Sequence, residues 1–166
     1  LLGVGGMALF KAEASGMIKE DKITPRIAQT AQSLWLVYLF LTLLCLCVYL
    51  IGGMDLFDAT THAFTTIATA GFSNYDASLG HFQSTFIERS ALFFMFVGSI
   101  NFTLHILAFR KRSLHYYLNN TELRAFSLIT LGEIGVVSIT LIFYQIFPTW
   151  GQALHHGAFA VISMIT

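Results

Sequence analysis

Charge is scarce in this sequence. Only 11% of its 166 residues are Asp, Glu, Lys or Arg, against about a quarter in soluble domains, which argues against a water-soluble globule. Basic and acidic residues number nine each and cancel to a net charge of zero, so no excess of one sign points to nucleic acid or to an acidic substrate. The two cysteines, Cys45 and Cys47, stand about 200° apart around a helix. That spacing excludes a mutual disulfide or metal chelate and leaves them as lipid-facing or packing residues. No leader is expected in this stretch: the chain opens on Leu1 inside an apolar segment, without a basic n-region or a small-residue cleavage site, and stops at Ile165-Thr166 after another apolar run. It is expected to be an internal stretch of a longer protein.

Apolar runs are what the sequence has. Hydrophobic residues make up 55% and the mean hydropathy is +0.69. Leu34 to Ile51 carries no charge and approaches the roughly 20 residues that cross a hydrocarbon core. Ser90 to Phe109 is uncharged but holds Asn101 and His105, and Ala125 to Phe147 holds Glu133 and ends at Pro148. Both are long enough to span. Leu1 to Phe10 is too short, and reads as the inner end of a helix that starts further upstream.

The cations sort into two loops. Lys11, Lys19, Lys22 and Arg26 fall in the first, and Arg110, Lys111, Arg112 and Arg124 in the second, leaving only Arg89 elsewhere. The positive-inside rule places both loops in the cytoplasm. The segment from Gly52 to Thr85 must then leave and return on the outer side. Phe57 to Thr69, a mixed run of Ala, Thr, Phe and Ile, suits a re-entrant half-helix better than a span. Asp55 or Asp58 can cap its start.

After Thr69, the residues Gly71, Ser73, Asn74 and Asp76 break the helix. Irregular backbone is tolerated at membrane depth only when protein buries it or when it lines a watery cavity. Ala68-Thr69-Ala70-Gly71-Phe72-Ser73 is therefore read as a filter strand whose main-chain carbonyls replace the hydration shell of a cation. Potassium would sit on the Thr69, Ala70 and Gly71 oxygens, and Phe72 would wedge the loop against the surrounding helices. The same residues would also serve as an ordinary helix C-cap with Gly71 at C′; the re-entrant topology favours the filter. The order helix, turn, half-helix in 34–69 returns in 125–166, which makes Thr166 the start of a second filter strand.

These residues resemble the membrane subunit of Trk-type potassium uptake systems, in the Trk/Ktr/HKT superfamily. The resemblance is carried by Asp21-Lys22-Ile23-Thr24-Pro25-Arg26, by Phe57-Asp58-Ala59 through His62-Ala63-Phe64 into Ala68 to Ser73, by Asp76-Ala77-Ser78, and by Ile100-Asn101-Phe102 with Leu104-His105. It implies an all-α integral membrane fold of helix, re-entrant pore loop and helix, repeated four times around one potassium pore. Residues 1–27 would close repeat one, 28–112 would form repeat two, and 113–166 would open repeat three. It further implies multi-pass residence in the bacterial inner membrane, contact with lipid, a homodimer, a cytoplasmic nucleotide-binding regulatory subunit of the TrkA type and no cofactor beyond the potassium ion. Relatives often carry Gly where Ala70 stands, so the added methyl narrows the backbone choices of this loop.

The remaining polar residues divide between function and packing. Asn101 and His105 share one face of the second run and either pack helices or line the pore. Glu133 either attracts cations or gates, or is a neutral acid bonded to a neighbouring repeat. Glu88 and Arg89 read as an interfacial pair. His155-His156 argue against a metal site, because adjacent residues diverge on a helix and no acidic or sulfur partner is near in sequence. Asn119-Asn120-Thr121 and Asn101-Phe102-Thr103 match the glycosylation pattern but fall in predicted cytoplasmic and intramembrane positions. Two other classes stay open: a broken-helix carrier of another cation or solute, and an intramembrane hydrolase, for which Ser99 and His105 lie on poorly matched faces.

Overall fold

The computed structural model describes residues 27–113 and 115–166. The first basic loop and the apolar segment before it lie outside the described residues. Helix α1, Ile27–Ile51, is apolar all round, as expected of a helix whose surroundings are lipid or other helices. Large side chains such as Trp35, Leu36 and Phe40 stand exposed on it. Helix α2, Leu56–Ile67, follows a short turn and packs against α1. Its twelve residues reach about 18 Å, well short of a hydrocarbon core of about 30 Å.

A loop and a 3₁₀ turn, Ser78–Phe82, lead into α3, Thr85–Ser99. The Ser84 side chain caps α3 by accepting the Ile87 N–H at 3.4 Å. Helix α4, Phe102–Lys111, comes next and ends on Arg110 and Lys111, the charge sign that suits a helix C-terminus. The short helix α5, His115–Asn119, leads to α6, Thr121–Phe143, and then to α7, Trp150–Ile165. No strand occurs among the described residues. Helix α6 and residues Gln29–Ile51 of α1 are long and apolar enough to cross a membrane.

Three helices share one core. Leu41, Cys45 and Tyr49 of α1 meet Ala59, Ala63 and Ile67 of α2 and Ile87, Ala91 and Phe94 of α3. Each set recurs every three or four residues, the period of one helical face. Cys45, Ala59, Ala63 and Ala91 are small, which lets the backbones approach closely, as helices in lipid do. Helix α7 packs chiefly on α6 and also on α3. There Gly157 lies so near Ser138 that a Cβ would stand 2.7 Å from the Ser138 hydroxyl.

The second apolar run is not one straight helix. The chain breaks at Ile100, which takes an extended conformation (φ −71°, ψ 139°), and α3 and α4 meet at an angle of 91°. Asn101 restarts the helix, because its side-chain oxygen accepts the Thr103 N–H at 2.9 Å and so offers a cap where continuation would offer only a carbonyl. His105 completes the bend. Its Nε2 reaches the Val97 carbonyl at 3.1 Å and its Nδ1 the Tyr117 hydroxyl at 2.7 Å. The break precedes both residues: Asn101 caps α4 and His105 lies within it, so the two stay on one helix while the run as a whole is bent.

Candidate functional site

The site is built where α2 ends. Its start is fixed by Asp55, whose carboxylate accepts the N–H groups of Phe57 and Asp58, each at 3.3 Å; Asp58 adds a second negative charge to the first turn, where the helix dipole favours it. Its end is fixed by two crossed bonds. The Ala70 N–H reaches the Thr65 carbonyl at 2.9 Å and the Thr69 N–H the Thr66 carbonyl at 3.3 Å. This is a Schellman ending. The residue that takes the left-handed conformation in it is Thr69, at φ 49°, and Gly71 follows at φ 72°. The alternative cap reading, with Gly71 at C′, is corrected by two residues: Thr69 stands at C′ and the 6→1 bond closes on Ala70.

The cap uses the carbonyls of Phe64, Thr65 and Thr66. Among the described residues, no backbone N–H is bonded to a carbonyl of Ala68, Thr69, Ala70, Gly71, Phe72 or Ser73. Unpaired main-chain oxygens are costly away from water unless something else coordinates them. The loop borders a cavity of about 340 Å³ whose lining includes Thr65, Thr66, Thr69, Ala70, Gly71 and Phe72 together with Ser163 and Met164 of α7 and its C-cap Thr166. Two short helices thus bring their C-terminal ends to one space. Neither carries a basic residue in its last turn, so about half a negative charge at each end goes unneutralised. Such a space favours a cation without a carboxylate.

A polar strap holds the outer limb of this loop. The His62 Nδ1 donates to the Asp58 carbonyl at 2.8 Å, and its Nε2 lies 3.0 Å from the Ser73 hydroxyl. Asn74 donates its amide to the Asp58 carboxylate at 2.9 Å and to the Thr61 hydroxyl at 2.7 Å. The Tyr75 hydroxyl donates to the other Asp58 oxygen at 2.6 Å, and its ring stacks on His81 with centroids 3.6 Å apart. The Tyr75 hydroxyl beside it, and then the Asn74 amide, hold the Asp58 carboxyl below the usual carboxylate range. Behind the cavity, the Tyr49 hydroxyl and Thr66 Oγ1 share a buried hydrogen bond of 2.8 Å.

Thr69, Ala70, Gly71, Phe72 and Thr166 line the one cavity, and Ser73 is tied to its wall through His62, whereas Ala68 is not among the lining residues. Phe72 is 76% exposed, and the hydrogen bonds of Ser73, Asn74 and Tyr75 secure the loop among the described residues. Asn101 sits at the α3–α4 bend and Glu133 on an exposed face of α6; neither lines the cavity. Glu88 does not pair with Arg89. It meets the His155 ring on α7 at 2.6 Å, an acidic partner 67 residues away that neighbouring sequence could not reveal. Even so, no group of three potential metal ligands occurs among the described residues. The roles of Asp58, His62 and Tyr75 were missed; their only signal was a His and an Asp four apart ahead of the loop.

These features define an all-helical integral membrane protein whose short helices end on a shared, hydroxyl-rich cavity. A profile of the cation transport protein family TrkH matches residues 1–164. The chain belongs to the TrkH family, a family of cation transport proteins rather than of enzymes. Trk system potassium uptake protein TrkH of Halomonas elongata is 42% identical over 99% of this chain and 34% of its own length. The protein of that name from Escherichia coli K12 is 39% identical over 100% of this chain and 34% of its own length. The crystal structure of the potassium transporter TrkH from Vibrio parahaemolyticus superposes with a TM-score of 0.81 at 38% identity, covering 85% of this chain and 31% of that one. The chain spans about a third of the length of these relatives.

Proposed function

We propose that this chain supplies one filter strand, Ala68 to Ser73, and the start of another at Thr166, to a potassium-conducting pore. The observation that carries the reading is the run of carbonyls without backbone partners beside a cavity where two short helices end. Helix α2 is too short to cross, so it enters from the outer side and its loop returns there. Potassium would be held by the Thr69, Ala70 and Gly71 oxygens, with the helix ends supplying negative potential and no covalent chemistry involved.

In this reading residues 28–112 form one pore repeat, 1–27 close the one before and 113–166 open the next. The whole protein is a four-repeat uptake pathway in the bacterial inner membrane. It works as a homodimer under a cytoplasmic nucleotide-binding regulatory subunit, to which the basic loops offer a surface. The names of the relatives, which are potassium uptake proteins, support the choice of ion.

The test is flux through the full-length protein in liposomes. Passive rubidium uptake, blocked by potassium and little affected by sodium, is expected. Uptake obligatorily coupled to exchange of another solute would favour the broken-helix carrier instead.

A further inference from the structure

We infer that His62 is a positioning residue for the outer half of the filter strand and sets its ion selectivity through Ser73. This rests on the filter reading above, which assigns Ser73 to the strand but gives His62 no part. His62 is 2% exposed and lies on the cavity wall. A carbonyl can only accept, so the Nδ1 bonded to the Asp58 carbonyl at 2.8 Å carries the proton. In the neutral ring Nε2 is then an acceptor, and the partner 3.0 Å away is the Ser73 hydroxyl. Ser73 Oγ meanwhile accepts the Tyr75 N–H at 3.2 Å. In that tautomer its one proton is directed to His62.

The ring is clamped. Phe82 meets it edge-on with centroids 5.5 Å apart, and Tyr75 lies nearly parallel at 6.5 Å. One rigid side chain, anchored on the Asp58 carbonyl, thus reaches from the middle of α2 to the last residue of the filter strand, eleven positions on from His62. The distance between the helix and the returning loop follows from the length of an imidazole. Selectivity by a carbonyl cage depends on how closely its oxygens are held, so changing this spacer changes which ion fits.

The experiment is a selectivity cycle in the full-length protein, with His62→Leu, His62→Gln, Ser73→Ala and the double variant His62→Leu/Ser73→Ala. Gln is long enough to place an amide near the Nε2 position. His62→Leu and Ser73→Ala should each lower the preference for rubidium over sodium about tenfold, the effect of one buried hydrogen bond lost. The double variant should lose no more than either, and Gln should restore most of the preference. Additive losses, or full selectivity in Ser73→Ala, would overturn the proposal. If His62→Leu fails to reach the membrane, Ser73→Ala alone decides. A wild-type protein without potassium flux would overturn the pore reading itself, whereas selective wild-type flux with unaltered variants would overturn only this role of His62.

Discussion

Gly98 of α3 lies against the main chain of Ile67, the last residue of α2: a Cβ at Gly98 would stand 3.1 Å from the Ile67 carbonyl oxygen and 3.5 Å from its Cα. The neighbour in that contact is backbone rather than a flexible side chain, and it leads directly into the proposed filter strand. Gly98→Ala should push the base of the strand by a few tenths of an ångström, and Gly98→Val by more. We expect reduced rubidium flux in the alanine variant and near loss in the valine variant, with stability lowered by about 1–3 kcal/mol as for other overpacked contacts. Flux in liposomes and thermal unfolding in detergent measure the two effects.

Gly71 makes the opposite kind of demand. Nothing lies within 4 Å of a Cβ there, yet its φ is +72°. The barrier to substitution is conformational, about 1–2 kcal/mol for an L-residue in the left-handed region. Gly71→Ala should therefore leave membrane insertion intact and lower selectivity for potassium over sodium. Gly71→Asp should do so more strongly, because it adds a charge as well. Unchanged flux ratios in both would contradict the filter assignment.

The buried bond between Tyr49 and Thr66 ties α1 to the end of α2. Tyr49→Phe deletes the hydroxyl and strands Thr66 Oγ1, at a cost of about 1–3 kcal/mol. The cost should show as a lower unfolding temperature with little change in ion preference, since the strap through His62 and Asp58 is untouched.

Acid should loosen that strap. The Tyr75 hydroxyl, followed by the Asn74 amide, holds the Asp58 carboxyl below its ordinary range. A group lowered on folding contributes stability that is fully present above its unfolded value and is lost as pH falls through the folded one. The contribution of Asp58 to thermal stability should thus be constant with pH near neutrality and decline below about pH 4, the ordinary carboxylate value. Asp58→Asn should be less stable at neutral pH and show a weaker acid decline, read from unfolding temperatures across pH.

The long helices were legible because lipid imposes a simple rule on them: a run such as Leu34 to Ile51 has no other comfortable fold. The short helix expected over Phe57 to Thr69, and found over Leu56–Ile67, was legible from its length and its Asp and Gly borders. The break at Ile100 was not. It lies inside an uncharged run without proline, and it depends on an Asn cap and on two distant partners of His105, Val97 and Tyr117. Likewise the left-handed residue at the cap fell on Thr69 rather than Gly71 because the crossed bonds count from the helix end, a register that composition leaves open. The strap to Asp58 and the meeting of Glu88 with His155 join residues far apart in sequence.

The return of the chain to the side it came from is tested by single cysteines at Asp55 and Asp76, both exposed, in a full-length protein whose Cys45 and Cys47 have been replaced. A membrane-impermeant thiol reagent added outside intact cells should label both. Labelling of one from outside and of the other only after the cells are opened would place them across the bilayer from each other and contradict the pore.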